Sequence, residues 1–175
     1  MSNVYLAADL HLGHKGVAGW RGYEDFRDHD NMIIKNWNSV VGKNDTVIIP
    51  GDLTMSKKPI DTLRLLNGRK IVVGGNHDTR GHTSKILEYV DGYVGAYEYK
   101  GYIITHIPVH PMCLDRYKGN IHGHLHEKLV FRQPMFGSKP IKDHRYFNVS
   151  LEQIEYKPIA FTALVERFNE RLHGS

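Results

Sequence analysis

The chain has 175 residues, with 41% hydrophobic and 24% charged residues, so residues 1–175 are expected to form a single globular domain. No apolar stretch reaches the roughly 18 residues of a membrane-spanning helix, which excludes an integral membrane protein. The net charge of +4 suits a polyanionic partner such as a nucleic acid, but without a run of Lys and Arg it suits an ordinary basic enzyme better.

Short runs of apolar and β-branched residues, separated by helical patterns, predict an α/β fold. The runs that predict strands cover residues 4–8, 46–50, 70–74, 92–100, 102–106 and 146–150. The helical patterns cover residues 24–41, 60–66, 86–90 and a last segment that begins at Pro158. Strands that alternate with helices, followed by a hairpin turn at Lys100 and Gly101, favour a fold with mixed strand directions.

The start of the chain bears on localisation. Residues 3–8 predict a strand rather than the basic segment and apolar core of a signal peptide. That strand leads directly into Asp9 and His11, and a cleavable leader would not share residues with a functional site. We therefore expect a cytoplasmic protein.

The cysteine and histidine counts indicate what kind of site the chain can build. One cysteine, Cys113, excludes an internal disulfide and any metal site made of several thiolates, and it fits a reducing compartment. Twelve histidines are unusual, and histidine is both the commonest metal ligand and an acid–base group near neutral pH. The counts therefore predict a site with nitrogen and oxygen ligands.

The side chains that can bind a metal lie at or directly after the ends of predicted strands, or, for the last two, shortly after Asn120 and Ile121. In chain order they are Asp9, His11, Asp52, Asn76, His77, His106, His124 and His126. Because parallel strands end at one edge of a sheet, we expect these side chains to converge there. Carboxylate, amide and imidazole ligands predict a centre for divalent ions, with manganese, iron, zinc, cobalt and nickel all open.

The predicted charge of this centre suits a phosphate ester. Asp52 is the natural bridge between two ions, because a carboxylate has two oxygens and Gly51 permits close approach of the backbone. Two carboxylates and a bridging hydroxide leave one net positive charge on two divalent ions, which attracts a phosphate. Two ions roughly 3.5–4 Å apart can also generate the hydroxide and stabilise the attacking and leaving oxygens.

The order of the motifs resembles that of the calcineurin-like metallophosphoesterase superfamily, in its small single-domain bacterial and phage type. The motifs are D-x-H from Asp9, G-D from Gly51, G-N-H-D from Gly75, a lone histidine at His106 and G-H-x-H from Gly123. The resemblance extends over nearly the whole chain. It implies a four-layer sandwich of two mixed β-sheets flanked by helices.

The resemblance also implies roles for the clustered residues. Two ligand sets would share Asp52 as a bridge: Asp9, His11 and His126 for one ion, and Asn76, His106 and His124 for the other. His77 would contact the phosphate and protonate the leaving oxygen. Many relatives have a second acid after the bridging aspartate that orients this histidine, and the segment from Gly51 to Met55 lacks it. Further candidate substrate contacts are Asn76, His14, Arg80 and His110.

The predicted function is hydrolysis of phosphodiesters, of nucleotide or nucleic-acid origin and including cyclic nucleotides, by a hydroxide that bridges two divalent ions, with manganese expected among them. A phosphomonoesterase acting on nucleotides or proteins is the first alternative, and a non-catalytic scaffold of the same fold is the second. The loop 108–119 is expected to contact the second ester arm through Arg116 and Lys118. The sequence leaves the oligomeric state open.

Overall fold

Two β-sheets form the centre of the fold in the computed structural model, which describes residues 2–54, 59–78 and 83–173. The strands of these residues are β1 Val4–Leu6, β2 Thr46–Pro50, β3 Arg69–Val73, β4 Gly92–Val94, β5 Tyr97–Tyr99, β6 Tyr102–Thr105, β7 Gly119–His122, β8 Phe131–Arg132, β9 Ile141–Lys142, β10 Tyr146–Asn148 and β11 Ile159–Ala160. The α-helices are α1 Lys15–Trp20, α2 Phe26–Val40, α3 Thr83–Ile86 and α4 Phe161–His173. Short 3₁₀ helices cover Pro59–Leu65, Pro111–Leu114 and Leu151–Gln153.

Both sheets contain parallel and antiparallel strands. The first has the order β11–β1–β2–β3–β4, in which only β11 runs antiparallel to its neighbour. The second has the order β10–β7–β6–β5, in which only β5 is antiparallel, and β8 pairs with β9 in a separate hairpin. The predicted α/β class with two mixed sheets and accompanying helices is confirmed.

Apolar residues of the central strands and of α2 form the core between these layers. Asp25 caps α2, since its side chain accepts a hydrogen bond from the Arg27 N–H. Ile33 and Trp37 lie on the buried face of that helix, and the Trp37 indole donates to the Asn67 carbonyl at 3.0 Å. The core extends past the ends of β1 and β2, where Leu10 and Leu53 are buried. Among the described residues, none of the helices combines the length and apolar character needed to cross a membrane.

Several predicted element boundaries are wrong. The predicted strand 92–100 is two strands, because β4 ends the first sheet and β5 begins the second, while the alternating aromatic pattern runs through both. Helix α1 was not predicted, since Gly16 and Gly19 lower its helix propensity. The helix expected from Pro158 begins at Phe161, because β11 first pairs with β1.

The expected single sheet edge is also wrong, because the clustered side chains come from two sheets. The residues after β1 and β2 lie beside the ends of β10 and β6, and hydrogen bonds join the two sheets there. The Ala8 N–H donates to the Val149 carbonyl at 2.9 Å, and the His106 Nδ1–H donates to the Pro50 carbonyl at 2.9 Å. Two facing sheets can therefore surround a centre that one sheet edge would leave open on one side.

Gly51 permits close approach of the loop after β2 to His106 and Gly75. Its φ of +77° lies in the left-handed region, and a Cβ there would lie 2.6 Å from His106 Nδ1 and 2.7 Å from Gly75 Cα. Both neighbours are held by the fold, so they cannot move aside at low cost.

Gly51→Ala is expected to lower the free energy of unfolding by more than about 1 kcal/mol, since it adds both backbone strain and a clash. Gly19→Ala is the matched control, because Gly19 is helical and a Cβ there meets nothing within 4 Å. That variant should raise the free energy of unfolding by roughly 0.5–1 kcal/mol. Urea unfolding measures both changes, and a Gly51 variant as stable as the wild-type protein would contradict this account.

Candidate metal centre

The strand ends bring the predicted ligands into one cluster. Three groups of side chains each hold three ligand atoms within 4.8 Å of one another. These groups are Asp9 with His11 and His126, His11 with Asp52 and His77, and Asp52 with His106 and His124. Asp52 belongs to two of the groups and so lies beside His11 and His77 as well as beside His106 and His124. Asn76 joins the cluster through its Oδ1, which lies 2.9 Å from His106 Nε2.

The backbone of the cluster is strained at five of these residues. Their φ angles are positive although none is glycine: Asp9 59°, His11 49°, Asp52 55°, His124 68° and His126 51°. Such conformations cost roughly 1–3 kcal/mol each and persist where the surroundings enforce them, often at functional sites. Both members of the D-x-H and H-x-H motifs are strained in this way, which turns their side chains into the cluster.

His11 supplies the clearest test of whether the cluster fits a metal ion. Both of its ring nitrogens are buried and have no hydrogen-bond partner among the described residues. Burial is the main cause that lowers the pKa of His11, and the charge of Arg21 adds to it, so the ring is neutral. Burial also raises the pKa of Asp9, to about 6. A neutral imidazole and a carboxylate that burial destabilises fit a cation, which would satisfy both.

His106 is held in the tautomer that a metal ligand needs. Its Nδ1 faces the Pro50 carbonyl, which can only accept, so Nδ1 carries the proton. In the neutral ring, Nε2 is then free as a ligand atom. It faces His124 Nδ1 at 3.2 Å and Asp52 Oδ1 at 3.4 Å.

Asp78 organises the two loops that carry Asp52 and His77. Its buried carboxylate accepts hydrogen bonds from the backbone N–H groups of Asp52 at 2.8 Å, Leu53 at 2.9 Å and Gly75 at 3.0 Å. The His77 N–H in turn donates to Asp52 Oδ1 at 3.0 Å. Asp78, the last residue of the G-N-H-D motif, therefore has a structural role, since its carboxylate holds the loop that carries Gly51 and Asp52.

Arg21 and Glu152 hold His126, and neither residue was predicted to belong to the site. Glu152 Oε1 accepts from His126 Nδ1 at 3.1 Å and from Arg21 Nε at 2.8 Å. The hydrogen bond to Glu152 is the main cause that raises the pKa of His126. Arg21 also donates to the carbonyl of Asp9 at 2.9 Å. Neither residue belongs to a motif, and 131 positions separate them, so no local signal could have paired them.

His77 and His14 lie on the solvent-facing side of the cluster. The His77 Nε2 is 3.7 Å from Asp52 Oδ2, and its partly exposed ring lies edge-on to His11 at 5.2 Å between centroids. The His14 ring lies 6.1 Å from that of His77 and accepts a hydrogen bond from the Val17 N–H through Nδ1. Both rings therefore stand where they can contact a substrate. Met55, at the end of the segment that lacks the second acid, lies outside the described residues.

Two other predicted contacts, His110 and Lys118, are not brought to the cluster. His110 is exposed and accepts from the Met112 N–H, while the preceding Val109 is bonded to Asn120 and Tyr146 on neighbouring strands. Lys118 lies over Gly101 at the opposite ends of β6 and β7, because those strands run parallel and start there. The expected contact of Lys118 with an ester arm is thus wrong. Arg80 lies outside the described residues.

Comparison with known proteins agrees with this geometry. The sequence model of the family described as calcineurin-like phosphoesterase matches residues 2–159. The chain belongs to the calcineurin-like phosphoesterase family. Members of this family are metal-dependent hydrolases of phosphate esters, and this calcineurin-like phosphoesterase has a matching cluster of Asp and His side chains.

Archaeal and phage proteins are among the relatives of this phosphoesterase. A protein of Methanocaldococcus jannaschii is 32% identical over 172 residues, which cover 95% of this chain and 91% of the relative. The Gene 66 protein of Mycobacterium phage L5 is 43% identical over 84 residues, which cover 45% of this chain and 41% of the phage protein. A solved structure from Aquifex aeolicus, of a protein of unknown function, has a TM-score of 0.69 at 23% identity and covers 98% of this chain and 100% of its own. That likeness supports the fold.

Glu152→Gln is expected to weaken Mn²⁺ binding roughly 10- to 100-fold, because a neutral amide holds the His126 ring less firmly. Isothermal titration of metal-free protein measures the affinity, and circular dichroism checks the fold. Glu155→Gln is the control, since this exposed carboxylate lies on the same segment away from the cluster. A folded Glu152 variant with wild-type Mn²⁺ affinity would show that Glu152 does not position His126.

Proposed function

We propose that this chain is a phosphodiesterase that uses two divalent metal ions, manganese among them, to hydrolyse esters of nucleotide origin. The observation that carries the proposal is the position of Asp52, which two groups of ligand atoms share within 4.8 Å. The proposed ligands are Asp9, His11 and His126 for one ion and Asn76, His106 and His124 for the other, with Asp52 bridging. When bound, the two ions would supply water activation and charge stabilisation at a phosphate.

The protein supplies the geometry around these ions. Pro50 and Glu152 orient the rings of His106 and His126, so their ligand nitrogens need no rearrangement when an ion binds. The donors are oxygens and imidazoles without a thiolate, which supports manganese and leaves iron, zinc, nickel and cobalt as alternatives. Competition between these ions for metal-free protein distinguishes them.

We assign the proton transfer to His77. Its ring is partly exposed in front of Asp52 and His11, so it can contact a phosphate and donate a proton to the leaving oxygen. The backbone N–H of His77 donates to Asp52, which keeps the ring close to the proposed bridge. His14 and Asn76 are the proposed substrate contacts beside it.

The preference for diesters depends on contacts outside the metal centre. A positively charged centre attracts a monoester dianion more strongly than a diester monoanion, which favours the alternative phosphomonoesterase. Diester preference therefore requires a surface that binds the second ester arm. The space beside His124 and His126 supports such contacts, because it is continuous with the cluster. A non-catalytic scaffold is less favoured, since every ligand position holds a residue that can bind a metal.

We also propose a cytoplasmic location. Cys113 is free and exposed, and a chain with one free thiol is suited to a reducing compartment.

The proposed function is tested with substrate pairs that share one leaving group. Manganese-loaded protein should hydrolyse bis-p-nitrophenyl phosphate with a higher kcat/KM than p-nitrophenyl phosphate, and 2′,3′-cyclic nucleotides faster than nucleoside monophosphates. Protein stripped of metal by a chelator is the control and should be inactive. A clear preference for the monoester in both pairs would identify a phosphomonoesterase, and full activity without metal would overturn the metal mechanism.

His77→Ala is expected to lower kcat for diesters roughly 10²- to 10⁴-fold, since the leaving oxygen loses its proton donor. The variant should still bind two Mn²⁺ ions, whereas Asp52→Ala should lose metal as well as rate. His110→Ala removes an exposed histidine away from the cluster and serves as the control. Normal kcat in a His77 variant, or loss of its metal, would contradict the role assigned to this residue.

A further inference from the structure

A groove of about 470 Å³ opens beside the metal centre. Its walls include His14, Trp20, His124, Leu125, His126 and Lys128, and we name it the Trp20 groove. Two proposed ligands and one proposed substrate contact are among them, so the groove and the centre form one continuous surface. A phosphate held at the centre would have one of its ester arms in this groove.

Trp20 is the unusual residue of the groove. Its side chain is 54% exposed, although it is among the largest apolar side chains of the protein. The indole and the His126 ring are nearly perpendicular, at 5.4 Å between centroids and 84° between planes. The indole thus contacts a proposed metal ligand while about half of its surface remains exposed. Exposed aromatic surface next to a catalytic centre indicates a binding surface.

The backbone around Trp20 is anchored to the same residues as the metal centre. Trp20 is the last residue of α1, and the buried Arg21 follows it directly. Arg21 donates to the carbonyls of Asp9 and Leu10 and to the Glu152 carboxylate. His14 caps the other end of the helix by accepting from the Val17 N–H. A platform held at both ends loses little entropy when a ligand binds, so it is suited to recognition.

We infer that Trp20 is a stacking platform for the planar base of a nucleoside ester whose phosphate lies at the metal centre. The inference rests on the proposed function and names its substrate class. The volume of the groove lies within the roughly 300–1,000 Å³ of ordinary ligand sites. An indole offers a planar apolar surface, which fits a flat uncharged base better than an alkyl or sugar arm. Every base has such a face, so binding should vary little between adenine, guanine, cytosine and uracil.

The test compares two phosphates that differ only in the base, adenosine 5′-monophosphate and ribose 5-phosphate, on the manganese-loaded full chain. The protein has two tryptophans, and Trp37 is fully buried and bonded to Asn67, so quenching of indole fluorescence by a ligand reports on Trp20. Adenosine monophosphate should quench the emission and bind roughly 5- to 150-fold more tightly than ribose 5-phosphate. Released phosphate is assayed in parallel so that only intact ligand is counted.

Two variants and one control complete the test. Trp20→Ala should abolish the preference for the base, and Trp20→Phe should retain most of it, because a phenyl ring still stacks. Leu65→Ala is the control, since it removes an exposed apolar side chain that does not line the groove. The Leu65→Ala variant should prefer adenosine monophosphate over ribose 5-phosphate to the same extent as the wild-type protein. Calorimetry measures affinity for the variants that lack the indole.

The outcomes distinguish this inference from the proposed function. Equal affinity of the wild-type protein for the two phosphates, or an undiminished preference in Trp20→Ala, would overturn the role of Trp20. Neither result would contradict the proposed function, which is tested separately by the hydrolysis of bis-p-nitrophenyl phosphate. A base preference that depends on Trp20, in a metal-loaded protein that hydrolyses no diester, would support the groove and contradict the proposed function.

Discussion

The metal centre depends on one buried carboxylate that binds no metal in our assignment. Asp78 accepts hydrogen bonds from the backbone N–H groups of Asp52, Leu53 and Gly75, and so joins the loops after β2 and β3. Hydrogen bonds to an ionised acceptor are about twice as strong as neutral ones, which helps to hold Asp52 in its left-handed conformation. Without that constraint the strained backbone would relax, and the shared ligand would move out of reach of both ligand groups.

The histidine rings of the centre are fixed by the same principle. Each ring must present one unprotonated nitrogen to an ion, and a carbonyl or carboxylate on the other nitrogen enforces this. Pro50 does so for His106, and Glu152 does so for His126. His11 differs, because both of its nitrogens are buried without partners among the described residues. Its environment costs stability unless a cation is bound, so metal binding and folding should be coupled.

In our proposal, the metal centre and the Trp20 groove recognise different parts of the substrate. The charged centre favours any phosphate and distinguishes poorly between esters, whereas an apolar platform distinguishes by the shape of the ester arm. Arg21 connects the two, since it follows Trp20 in the chain and bonds to Asp9 and Glu152. The buried guanidinium of Arg21 thus links the helix that ends at Trp20 to the strand end that carries Asp9.

The sequence by itself determined which side chains follow the strands and in which order, and this was enough to identify the family and the residues that the cluster brings together. Such information is local, because a motif of two to four residues and the strand before it determine where along the chain the side chains of that motif lie. Only the tertiary structure decided that two sheets supply the centre, that Arg21 and Glu152 hold His126, and that Lys118 lies at the far end of its strand. These facts depend on the packing of segments far apart in the chain, and the spacing of residues along the sequence does not encode such distances.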